Sequence, residues 1–150
     1  MRKELHNAFA AKLDSNAQVK WADMWKNQVT KLRNKYPFNY PAAFVSIRSV
    51  PWQDMTFNVK EGTATVDVYV FFDKYGDTFE GASDKANSLL MLDLLDTLAN
   101  DLHWLTGESF GETTQIGEED LTDRYDRPAH RLTFQCQVGK RITPTVHVSN

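Results

Sequence analysis

The sequence predicts an α+β domain, an antiparallel sheet of about four strands with one long helix packed on a face. Two segments alternate apolar and polar residues with the period of a strand, residues 63–73 and 130–138. Between them, residues 84–105 repeat leucines with the period of a helix. An N-terminal helix and a polar C-terminal arm at 139–150 complete a single predicted domain over residues 1–150.

The composition is that of an ordinary soluble protein. The chain has 150 residues, of which 41% are hydrophobic and 25% charged, which argues against a disordered, collagen-like or disulfide-based chain. Its apolar runs are far shorter than the ~20 residues of a membrane span, and no secretory signal is visible. The single cysteine, Cys136, cannot form an internal disulfide, so we expect a buried strand residue and a compartment that is reducing or at least indifferent to redox.

The first 41 residues are predicted to be a helical segment and a connector. Apolar residues recur every four positions over residues 2–13, a helical stripe formed by Leu5, Phe9 and Leu13. Residues 19–35 fit either a helix or an extended chain, and we favour a helix at 26–35 after a strand-like segment. Prolines at both ends of residues 37–41 predict an irregular connector.

Three strands are predicted next. Residues 43–50 alternate as a strand, and residues 55–60 and 63–73 form a hairpin with its turn at Glu61-Gly62. One face of the longer strand is apolar. The other face carries aromatic and acidic side chains and is therefore not a plain solvated surface; it consists of Thr65, Asp67, Tyr69, Phe71 and Asp73.

The long helix is predicted to begin after an N-cap at Ser83 and to end before a C-cap at Gly107. Its apolar positions exceed one face, so we expect the sheet or a partner to cover it on more than one side. Residues 112–116 are compatible with a short strand, and residues 117–128 are interpreted as an acidic loop before the last strand.

No catalytic motif is recognisable, and the four histidines are far apart in the sequence. The acidic cluster Glu118, Glu119 and Asp120 lacks the spacing of a calcium loop, so we interpret it as a solvated loop or an inter-subunit contact. We therefore predict no enzymatic activity, no cofactor and no metal site.

The charge is divided unevenly. Residues 1–35 hold eight basic and three acidic residues, whereas residues 36–150 hold nine basic and seventeen acidic ones. Opposite charge at two ends can attract copies head to tail, although two solvated faces without a partner fit equally well. The candidate interface residues are Lys31, Arg33 and Lys35 on the basic side, Asp67, Tyr69, Phe71 and Asp73 on the strand face, and Glu118, Glu119 and Asp120 in the acidic cluster.

The order of elements resembles a known family. The predicted order is similar to that of the tail terminator and tail-completion proteins of long-tailed bacteriophages. It consists of a helix, a proline-flanked entry into a strand at residues 40–47, a long hairpin, a leucine-rich helix and a final strand preceded by residues 123–126. Residues 19–28 also resemble phage-derived proteins of Bacteroidetes genomes. The resemblance extends over most of residues 1–138 and is one of element order, without a short motif.

The resemblance implies a non-enzymatic virion protein that forms a ring, typically a hexamer. Its implied partners are other copies of itself and the tail-tube and head-connector proteins, with no membrane and no sequence-specific nucleic acid. The implied location is the tail or neck of the virion, and the host bacterial cytoplasm during assembly. A small-ligand-binding or adaptor α+β domain is the alternative.

Overall fold

The computed structural model describes residues 1–29, 39–73, 85–125 and 127–141, with side chains of the long helix described from Leu89 onward. These residues form an α+β domain, as the sequence predicts. The elements, in chain order, are α1 (Arg2–Asp14), β1 (Trp21–Met24), β2 (Ala42–Ser49), β3 (Trp52–Thr56), β4 (Val59–Phe71), α2 (Lys85–Leu102), β5 (Thr114–Asp120), α3 (Thr122–Tyr125) and β6 (Ala129–Arg141).

The sheet has six strands, two more than expected, and it is mixed rather than antiparallel. Its order is β1-β2-β4-β6-β5, and β3 pairs with the first part of β4. The strands beyond the four expected are β1, which pairs parallel with β2, and β5, which extends into the segment expected as an acidic loop. β3 is the first strand of the predicted hairpin, displaced from 55–60 to Trp52–Thr56, and it continues the line of β2 along β4. The strand-like segment before residue 26 is thereby confirmed. Residues 26–29 are not helical, so the predicted start of a second helix is wrong, and residues 30–35 lie outside the described part.

Helices α1 and α2 cover one face of the sheet, which we call the helix face. Leu5, Phe9 and Leu13 of α1 are fully buried there, as the stripe predicts. The apolar face of the strand predicted at 63–73 and the leucine repeat of the predicted long helix also meet here, together with side chains of β6. Their shared cluster contains Val66, Val68, Val70, Leu94, Leu98, Phe134 and Cys136. The long helix therefore packs on one face of the sheet, as expected.

The hairpin turn lies at Phe57-Asn58, so its prediction at Glu61-Gly62 is wrong. Asn58 adopts a left-handed conformation with φ 61°, which asparagine tolerates better than most residues. Gly62 lies inside β4, opposite Trp52. A Cβ there would lie 2.7 Å from the carbonyl oxygen of Pro51, so glycine is needed for close strand approach rather than for a turn.

The long helix ends at Leu102, before the predicted end near Gly107. The buried side chain of Thr113 is responsible, because its hydroxyl donates to the Leu102 carbonyl at 2.6 Å and accepts from the Leu105 amide at 2.9 Å. Trp104 takes a left-handed conformation, and its amide donates to the Thr113 carbonyl. The predicted cap at Ser83 lies outside the described residues. In the C-terminal arm, residues 139–141 belong to β6 and the rest is also outside the described part.

Candidate functional site

The opposite face of the sheet, which we call the aromatic face, is covered by other segments of the same chain. Tyr69 and Phe71 were expected to be exposed interface residues, but Tyr69 is buried and Phe71 is fully buried. Trp25 follows β1 and stacks on both rings, with centroid distances of 4.5 Å to Tyr69 and 5.6 Å to Phe71. Tyr125 of α3 packs edge-on against Phe71 at 4.9 Å. The expectation of exposure is therefore wrong, because irregular chain and a short helix cover these rings.

Asp67 lies on the same face and is also buried, although it was expected to be accessible. Its carboxylate accepts a hydrogen bond from Nε of Arg48 at 2.7 Å and one from the Thr133 hydroxyl at 2.8 Å. The hydrogen bond to Asp67 raises the pKa of the Arg48 guanidinium. Asp67 of β4 is thus linked to β2 by an ion pair with Arg48 and to β6 by a hydrogen bond from Thr133. Asp73 is exposed just beyond β4.

The acidic cluster lies on β5, at one outer edge of the sheet, and not in a loop as expected. Glu118 and Glu119 are exposed, and Glu119 pairs with Arg131. Asp120 is exposed and accepts a hydrogen bond from the Thr122 amide at 2.8 Å at the start of α3, and its hydrogen bonds with Thr122 lower its pKa. The loop prediction failed because a strand covered with polar side chains lacks alternating hydrophobicity.

A groove separates β5 from α2 on the helix face. It has a volume of about 580 Å³, and its lining includes Asp96 of α2 together with Ile116 and Glu118 of β5. Residues 85–125 carry nine acidic and two basic side chains in all. We call Asp96, Ile116, Glu118, Glu119 and Asp120 the acidic edge.

A second groove lies at the opposite end of the sheet, also next to the helix face. It has a volume of about 600 Å³ between the start of α1 and the end of β1, where β2 continues beyond its partner strand. Apolar groups line its inner part and basic groups of α1 line its rim. We call it the basic groove; its lining includes Arg2, Lys3, His6, Met24, Val45 and Ile47.

The structure thus gives the charge division a location. The basic groove lies beside β1 and β2, and the acidic edge lies on β5 and the neighbouring helix, at opposite ends of the strand order. Residues 1–29 hold five basic and three acidic side chains. The three candidates Lys31, Arg33 and Lys35 lie outside the described residues. The described residues of the N-terminal segment therefore carry a net positive charge, the sign that the sequence predicts for residues 1–35.

Several large apolar side chains are exposed away from both grooves. Phe57 and Met55 project from the β3–β4 hairpin, and Leu90 and Leu92 are half-exposed near the start of α2. Leu90 belongs by its spacing to the leucine repeat that predicts this helix, together with Leu94 and Leu98, but it is not buried with them. The stripe becomes buried only from Leu94 onward, where α2 packs against the sheet.

Groups with chemical reactivity are few among the described residues. The buried Cys136 thiol has its pKa raised to about 11 by desolvation, so it is a poor nucleophile at neutral pH. His103 uses Nδ1 to accept the Gln115 amide at 3.1 Å, which ties the end of α2 to β5. Within the part of the chain that is described, no three His, Cys, Asp or Glu side chains are placed to hold a metal ion, and no helix is long and apolar enough to cross a membrane.

Comparison of the sequence with protein-family models and with curated proteins gives no match.

Proposed function

We propose that this protein is a non-enzymatic structural protein of a long-tailed bacteriophage. It assembles head to tail into a ring that caps or completes the tail tube or joins it to the head. Its partners are further copies of itself, the tail-tube protein and the head connector. It acts in the tail or neck of the virion after assembly in the host cytoplasm.

The observation that carries this proposal is the opposite charge at the two ends of the sheet. A ring requires a heterologous contact, in which one surface of a subunit meets a different surface of the next. The acidic edge and the basic groove are two different surfaces of this kind, and their opposite charges attract each other. The resemblance in element order supplies the phage context.

The proposal is tested by the state of the purified protein across salt concentration. We expect oligomers by sedimentation velocity at about 0.02 M salt and weaker association at about 1 M salt, because screening removes attraction between exposed charges. Electron microscopy of the oligomers alone should reveal free rings. After the oligomers are mixed with tail tubes, it should reveal rings bound at the tube ends.

A matched pair of charge reversals sharpens the test. Asp96→Lys with Glu118→Lys reverses charge on the acidic edge, whereas Asp54→Lys with Glu61→Lys makes the same net change on the exposed hairpin. Only the first pair should weaken association. A wild-type chain that stays monomeric at high concentration and low salt, and does not bind tubes, contradicts the proposal and favours the small-ligand or adaptor alternative.

A further inference from the structure

Ile116 is an apolar side chain placed outward in an acidic strand. Its neighbours in β5 pair with β6 as Gln115 with Phe134 and Gly117 with Thr133, which leaves Ile116 as the extra residue of a β-bulge. Bulges change the direction of a side chain and disturb strand pairing at sheet edges. The side chain of Ile116 is 53% exposed and lies next to Glu118 in the groove beside α2.

The basic groove has the complementary character. Met24, Val45 and Ile47 give it apolar walls, and Met24 keeps 49% of its surface exposed. Arg2 and Lys3 stand on its rim at the start of α1. An apolar side chain flanked by carboxylates therefore matches it in both hydrophobicity and charge.

The positions of the two surfaces also fit a repeated contact. Both lie beside the helix face, one under α1 at the β1–β2 end and the other under α2 at the β5 end. A contact between them uses different surfaces on the two copies, so an open assembly keeps one free acidic edge at one end and one free basic groove at the other.

We infer that the occupant of the basic groove is the acidic edge of a second copy of this chain, with Ile116 inserted between Met24 and Ile47 and Glu118 facing Arg2 and Lys3. This inference rests on the proposed head-to-tail assembly and assigns its contact. Ile116 and Met24 are the central apolar pair, and the surrounding charges orient the two copies and speed their encounter.

Two variants each disable one surface. Ile116→Lys places a cation on the acidic edge, where it meets the basic groove, and Met24→Glu places an anion in the basic groove, where it meets the acidic edge. Each should weaken self-association by at least about 30-fold, because a charge is introduced at the centre of an apolar contact. Both residues are about half-exposed, so the monomer should keep its fold, as checked by circular dichroism.

Mixing the two variants provides the decisive measurement. The Met24→Glu chain keeps its acidic edge and the Ile116→Lys chain keeps its basic groove, so an equimolar mixture should associate although each variant alone is monomeric. Sedimentation velocity measures this directly. Matched controls are Met55→Glu, at a methionine with 53% exposure on the hairpin, and Thr114→Lys, at an exposed position of β5. Both controls should associate as the wild type does.

Cross-linking gives an independent readout. Chains with Ile116→Cys and chains with Met24→Cys, mixed in the presence of oxidised glutathione as the two-electron oxidant, should form a disulfide-linked heterodimer. The pair Met55→Cys with Met24→Cys should not form one under the same conditions. Cys136 does not interfere because it is buried.

The outcomes separate this contact from the proposed function. If both variants associate as strongly as the wild type, the proposed contact is wrong and the ring assembles through another surface. Variants that become monomeric but do not associate on mixing also overturn it. A wild-type chain that is monomeric under all conditions and does not bind tail tubes overturns both the contact and the proposed function.

Discussion

The two faces of the same sheet are closed in different ways. Helices α1 and α2 cover the helix face with mainly aliphatic side chains at regular spacing. The aromatic face is covered by Trp25, which follows β1, and by Tyr125 in a helix of four residues. The difference shows that aromatic residues opposite a helix-covered face need not form an intermolecular surface, since irregular segments of the same chain can bury them.

The largest effect should come from truncating the centre of either face. Phe71→Ala should cost about 3–5 kcal/mol and Leu98→Ala about 2–5 kcal/mol, because both side chains are fully buried and leave cavities. Denaturant unfolding measures both, and Leu90→Ala, at an exposed position, is the control with a much smaller cost. A cost near zero for Phe71→Ala means that the aromatic face is not a core.

A smaller effect is expected for the covering tryptophan. Trp25 is half-buried but stacks on Tyr69 and Phe71, so Trp25→Ala should cost about 1–3 kcal/mol. Trp25→Phe should recover part of this loss because it keeps an aromatic ring in the stack. Equilibrium unfolding with near-UV circular dichroism follows both variants, and an unchanged near-UV spectrum for Trp25→Ala contradicts the stacking.

The ion pair on the aromatic face should contribute about 1–3 kcal/mol. Asp67→Ala removes the buried acceptor of the hydrogen bonds from Arg48 and Thr133. A double-mutant cycle of Asp67→Ala with Arg48→Ala should give a coupling free energy of about 1 kcal/mol. If the two costs simply add, the ion pair does not link the strands as described.

The smallest effect concerns Asp120 at the end of β5. Its folded-state pKa lies below the ordinary value of 3.8 because of its hydrogen bonds with Thr122. A depressed pKa contributes stability that is present above the unfolded pKa and is lost as the pH falls through the folded value. Asp120→Asn should therefore lower the free energy of unfolding, measured by urea denaturation at pH 7, by less than about 1 kcal/mol at this exposed site. The difference from the wild type should shrink below pH 3.8. A difference that grows on acidification contradicts the assignment.

The hairpin turn and the end of α2 had no usable signal in the local sequence. The hairpin turn at Phe57-Asn58 has no glycine, and the left-handed conformation at Asn58 is permitted rather than required by its side chain. The end of α2 depends on Thr113, eleven residues beyond Leu102 in the sequence, so local capping rules pointed to Gly107 instead. The acidic edge was recognisable as a charge cluster, whereas its placement on a strand beside Asp96 was not.

The sequence by itself determined the α+β class, the α1 stripe, the position of the long helix and the aliphatic core, because these follow from periodic burial along single elements. Only the tertiary structure decided the parallel addition of β1, the closure of the aromatic face by Trp25 and Tyr125, and the placement of opposite charges at the two ends of the sheet. The physical reason is that these features depend on contacts between residues far apart in the chain, for which no local spacing provides a signal.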